Sequence, residues 1–128
     1  MNKNILVLAY LGDSVFELYI REYLINKFAK VNTLQNEAIK IVSAKGQDLL
    51  IKKLINDNIL TSEEIDIFNR GRNAKCNHHP KNTDIITYKH ATGFEALIGY
   101  LYLEDKDRLN IIINICMEEI ECMYMEKM

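Results

Sequence analysis

Apolar residues recur along most of this chain at three- and four-residue steps, the spacing that lays one stripe down a helix. In the first such stretch Leu8, Leu11, Val15 and Leu18 form the stripe, and Phe16, Ile20, Tyr23 and Leu24 widen it. Asp13, Glu17 and Arg21 follow a separate polar stripe at four-residue steps. A second helix is expected over residues 33–44, capped by Thr33, with Leu34, Ala38, Ile41 and Val42 inward. Gly46 marks a bend before a third, whose inner side carries Leu49, Leu50, Leu54 and Ile55. Thr61 and Glu64 have capping-box spacing for a fourth that runs towards Arg70. Residues 71–83 are small, polar and basic, contain Pro80, and form the main loop. A fifth helix is expected over about residues 86–103, although Ile85, Ile86, Thr87 and Tyr88 have strand propensity. A last amphipathic helix starts near Asp107, setting Ile111, Ile115 and Cys122 beside Ile112, Cys116 and Ile120, with acids outward. The pattern predicts an all-α fold. Without repeats or a Pro/Ser-rich linker, residues 1–128 read as a single domain.

Composition agrees with long helices and short loops. One proline and five glycines are too few for a protein built on tight turns. Hydrophobic residues make up 48% and charged residues 27%, so one core can close without disulfides. Cys76, Cys116 and Cys122 are odd in number and have no framework spacing, which fits reduced thiols. Residues 5–12 resemble a signal-peptide core after Lys3, but Asp13 interrupts it and no small-x-small cleavage site follows. No apolar run approaches the ~18 residues of a membrane span. A cytoplasmic protein is expected.

The formal net charge of −2 does not advertise a nucleic-acid binder. The distribution changes that picture. Between residues 69 and 90, Arg70, Arg72, Lys75, Lys81 and Lys89 face a single acid, Asp84, and His78, His79 and His90 fall in the same segment. Beyond residue 103 acids dominate instead. A basic patch thus sits inside a mildly acidic total.

Two acids stand in awkward company. Gly12 and Asp13 are both poor interior helix formers, yet they fall mid-helix. Either something packs very close to Gly12, or Asp13 is needed where it is; the alternative is a solvated Asp beside a tolerated Gly, and spacing alone favours it. Glu95 lies among the small and apolar residues of ATGFEALIGYLYL, where a carboxylate needs a partner or a metal. If the first and fifth helices cross at their glycines, Asp13 and Glu95 can meet as a hard-oxygen pair suited to Mg²⁺.

The stretch LAYLGDSVFELYIR resembles the first motif of the ribonuclease III catalytic domain, and ATGFEALIGYLYLE resembles the second. RGRNAK and PKNTD between them resemble the Mini-III branch, which keeps the nuclease domain without a separate double-stranded-RNA-binding domain. The resemblance implies an all-helical homodimer that cuts both strands of duplex RNA with Mg²⁺, leaving 5′-phosphate and 3′-hydroxyl ends. It implies catalytic, metal-holding roles for Asp13 and Glu95. Ala9 and Thr92 stand where full-length ribonuclease III enzymes have further acids, so water must complete the metal's shell. Maturation of 23S ribosomal RNA precursor ends, with ribosomal-protein-bound precursor particles as partners, is the implied task.

On that reading Arg70, Arg72, Asn73, Lys75, Lys81, Asn82 and Thr83 contact RNA, through phosphates and 2′-hydroxyls rather than base edges. The bland reading is a solvated loop in which Asn and Thr cap helix ends. Cys76, His78 and His79 offer at most three metal ligands in one short loop and no second cluster, which argues against zinc. Glu17 is expected to pair with Arg21 rather than to serve the site. Most of the tyrosines fall at core spacing. A non-catalytic RNA- or ribosome-binding dimer, and a helical interaction domain unrelated to RNA, are the alternatives. The first leaves the retention of both acids unexplained, the second the ordered motifs.

Overall fold

In the computed structural model, residues 3–75 and 81–126 are described. They form six helices, α1 (Ile5–Ile25), α2 (Val31–Val42), α3 (Ala44–Asn56), α4 (Ser62–Arg72), α5 (Ile85–Glu104) and α6 (Lys106–Glu126), with no strand among the described residues. The all-α expectation holds.

Short polar side chains set most of the helix starts. The Asn4 side chain accepts from the Leu6 amide, Ser43 from Gly46, and Asp84 from both Ile86 and Thr87. Asp84 therefore settles the strand-prone run 85–88 as the first turn of α5. Thr61 and Glu64 form a complete capping box. Two expected boundaries differ. Thr33 lies inside α2, which begins at Val31 behind an uncapped Lys30. The break between α2 and α3 falls at Ser43, whose extended backbone ends one helix while its hydroxyl caps the next, and Gly46 is helical. A hydroxyl that satisfies an orphan amide is a stronger break than a glycine with no turn to make. At the far end of α3 the C-cap is Asp57, and the next residue, Asn58, takes a positive φ of 55° that stops the helix.

Helix α5 is the axis of the fold, packed against α1, α3 and α4. Ala91, Phe94, Ala96, Leu97, Ile98 and Leu101 are all buried, so it is apolar around most of its circumference. Phe16 and Phe94 meet edge to face with ring centroids 5.0 Å apart, and both are fully buried. Several residues expected inside are outside: Leu18 is 60% exposed, Leu49 48% and Ile111 50%. Each lies on the side of its helix away from the buried face to which Phe16, Ile51 and Ile112 belong. Arg108 in α6 forks onto Glu64 through Nε at 2.8 Å and Nη2 at 2.9 Å, and also donates to the Ile59 carbonyl. Burial opposes the charge on Glu64, but Arg108 and the Thr61 amide together hold its carboxyl below the usual range. Among the described residues no helix is long and apolar enough to cross a membrane.

Candidate active site

Helices α1 and α5 touch backbone to backbone. A Cβ placed on Gly12 would lie 1.8 Å from the Glu95 carbonyl oxygen, and one on Gly99 would lie 2.0 Å from the Leu8 carbonyl oxygen. No side chain fits at either point, which explains a mid-helix glycine that helix propensity disfavours. The approach at Gly12 brings the next residue, Asp13, to Glu95.

Asp13 is exposed on α1, and Glu95 is partly buried on α5. Burial is the largest influence on Glu95 and pushes its carboxyl up. A hydrogen bond from Gln47 opposes this; the charge of Asp13 and a hydrogen bond with it add to it, leaving the pKa at about 8. Two carboxyls this close do not both ionise readily without a cation. Among the described residues no Lys, Arg or His forms an ion pair with either acid. Nor do three or more His, Cys, Asp or Glu residues gather there in a metal-binding group. The arrangement is two acids with one amide beside them.

That amide was not visible as a site residue in the sequence. Gln47 is 1% exposed, and its Nε2 donates to Glu95 Oε2 at 3.2 Å and to the Val42 carbonyl at 3.0 Å. The signal that could have found it is its phase: Gln47 shares a face with Leu50, Ile51 and Leu54, all buried. The residues at the two further family positions add no acid. Ala9 is buried, and the Thr92 hydroxyl donates to the Tyr88 carbonyl of its own helix.

The basic residues lie at the end of α4 and ahead of α5. Arg70 and Arg72 are exposed in the last turn of α4, Asn73 is its C-cap, and Lys75, Lys81 and Asn82 are exposed, with Thr83 half-buried. Among the described residues, none of Arg70, Arg72, Lys75 and Lys81 forms a salt bridge. Close packing of Gly71 against Gly93 holds the end of α4 on α5, so this cationic segment and Glu95 share one scaffold. Cys76, His78 and His79 lie outside the described residues. His90 belongs elsewhere than the basic surface: its Nδ1 is 2.6 Å from Asp48 Oδ1, and its ring lies 6.0 Å from that of Phe68. Glu17 pairs with Arg21 at 2.7 Å, as its spacing predicts. Tyr10, by contrast, is 82% exposed and not part of the core.

The chain is a helical domain with two facing acids and an exposed cationic segment, and residues 6–106 match the Ribonuclease III domain. The chain is 45% identical over 119 residues to the Mini-ribonuclease 3 of Enterococcus faecalis, covering 91% of this chain and 90% of that one. It is 42% identical to that of Streptococcus pneumoniae, covering 92% and 94%. A crystal structure of a Fusobacterium nucleatum protein superposes with a TM-score of 0.81 at 37% identity, over 92% of this chain and 94% of the other. The chain belongs to the ribonuclease III family, in its Mini-ribonuclease 3 branch, and is an endoribonuclease.

Proposed function

We propose that this endoribonuclease is a cytoplasmic, Mg²⁺-dependent homodimer formed by residues 1–128 as one domain. It cuts double-stranded RNA to leave 5′-phosphate and 3′-hydroxyl ends, and the ends of the 23S ribosomal RNA precursor, met in ribosomal-protein-bound particles, are its substrate. One observation carries the catalytic reading: Asp13 and Glu95 converge where two helices touch, with no cationic side chain among the described residues to balance them.

The residues fit a magnesium ion. Carboxylate oxygens are the hard donors that Mg²⁺ takes, and it keeps several waters of its own, so two acids suffice to anchor it. Asp13 and Glu95 would hold it. When bound, the ion supplies an activated water and charge stabilisation for the phosphodiester transition state. The rest falls to the chain. Arg70, Arg72, Lys75 and Lys81 attract the phosphate backbone, and Asn73, Asn82 and Thr83 supply neutral donors and acceptors for 2′-hydroxyls. Leu6 and Tyr10 are exposed apolar residues on the same side of α1 as Asp13, and the exposed Val7 and Leu18 continue that surface further around the helix. A second copy seated on that surface would bring two Asp13–Glu95 pairs close together, as cutting both strands requires.

The decisive experiment incubates the purified protein with a perfect RNA duplex, with and without Mg²⁺. Cleavage in Mg²⁺ alone is expected. Asp13→Asn and Glu95→Gln should each abolish it, a loss of at least about a thousandfold, while leaving a folded dimer. Near wild-type cutting by either variant would refute the assignment.

A further inference from the structure

Among the described residues three polar or charged side chains are buried: Gln47, Asp48 and Glu64. Asp48 binds both His90 and Lys52, and Glu64 binds both Arg108 and Thr61. Gln47 is different. Its Oε1 is buried with no hydrogen-bond partner, while its Nε2 bridges the Val42 carbonyl and Glu95 Oε2. A buried acceptor without a partner destabilises a fold, and a leucine or methionine would fill the same space without that penalty. Core packing therefore does not account for an amide here.

The placement is specific. Ser43 ends α2 and caps α3, setting Gln47 in the first full turn of α3 with its amide between the α2 carboxyl end and the acid on α5. The Val42 carbonyl fixes one Nε2 hydrogen, so the other is aimed at Glu95. Glu95 thus has Gln47 on one side and Asp13 as its other polar neighbour. A site with only two carboxylates has few anchors, and the direction in which each one points decides whether they share an ion.

We propose that Gln47 is a positioning residue for the cation site: its amide fixes the Glu95 carboxylate in the orientation that faces Asp13. This rests on the reading of Asp13 and Glu95 as that site. Gln47 acts through Glu95 and touches neither RNA nor the scissile phosphate.

The test uses Mn²⁺ as a paramagnetic stand-in for Mg²⁺, with binding to the RNA-free protein followed by electron paramagnetic resonance. Steady-state cleavage of an RNA duplex is measured in parallel. Gln47→Met keeps the length and removes the amide. It should weaken Mn²⁺ binding about tenfold or more, the usual consequence of losing a partner that orients a ligand. It should also lower kcat at limiting metal with KM for RNA unchanged, and added metal should restore much of the rate. Gln47→Asn keeps the amide but draws it back by one methylene, guards against a Met variant that fails to fold, and should show a smaller loss in the same direction. A purely structural role would move the melting temperature and leave Mn²⁺ affinity alone. If both Gln47 variants bind Mn²⁺ and cut like wild type while Asp13→Asn and Glu95→Gln do neither, the positioning role is refuted and the cation site stands. If Asp13→Asn and Glu95→Gln also bind and cut normally, the underlying site is refuted and the positioning role with it.

Discussion

Glu95 is held at about 8 against an ordinary 4.5, first by burial and then by Asp13. A raised folded-state value means that its contribution to stability is complete below about pH 4.5 and is lost as pH climbs to about 8. The melting temperature of the metal-free protein should therefore fall across that window. Glu95→Gln should flatten the fall, and Mg²⁺ should reverse it in the wild type. Thermal melts at several pH values, with and without Mg²⁺, make the check; parallel wild-type and Gln curves would mean that Glu95 ionises normally. At this scale Asp13 and Glu95 were legible in the sequence because each broke a local rule: an acid beside a mid-helix glycine, and an acid among small apolar residues. Gln47 broke a rule less visibly. Glutamine is a good helix former, and only its phase against Leu50, Ile51 and Leu54 betrays that it points inward. His90 misled in the opposite sense, since proximity in sequence to Arg72 and Lys75 says nothing about which side of α5 it occupies.

Between elements, the crossing of α1 and α5 governs whether the acids meet. Gly99→Ala would ordinarily favour a helix by about 1 kcal/mol. Here the added methyl meets the Leu8 carbonyl 2.0 Å away, and the contact is with backbone rather than a side chain that could move aside. Overpacking should win, at a net cost of about 2–3 kcal/mol. By spreading the helices it should also lower cleavage by more than about tenfold, although residue 99 carries no chemistry. Denaturant unfolding with a parallel cleavage assay tests this; full activity in a destabilised variant would show that the acids tolerate a looser crossing. Helix starts that rest on a side-chain rule, such as Thr61 with Glu64, were predictable. The start of α2 at Val31 was not, because Lys30 offers no side-chain cap to mark it. Ser43 was missed for a related reason: nothing local distinguishes a serine that caps from one that lies within a helix.

Over the whole molecule, the charge total of −2 conceals an exposed cationic segment, the proposed RNA surface. Arg72→Ala and Lys75→Ala should each weaken duplex binding, and each should reduce the slope of log affinity against log salt by about one. Filter binding across a salt series measures both effects. An unchanged slope would move the RNA surface elsewhere. The all-α class was readable because the helical period recurs in the elements on either side of α5, while α5 itself is apolar around most of its circumference. Which apolar residues stay outside was not, since Tyr10 and Leu18 have the same period as the core and only the packed structure shows them uncovered.

The meeting of α1 with α5 also has a consequence in time. Asp13 belongs to the first helix and Glu95 to the fifth, so about three quarters of the chain must be synthesised before the two can pair. Contacts between distant segments form late in folding, after the loop between them has closed. Neither half of the chain contains both acids, and a partly made polypeptide emerging beside ribosomal RNA lacks the pair. If the pair is the proposed cation site, cleavage begins only once α5 has docked on α1, which would make activity itself a report that this crossing has formed.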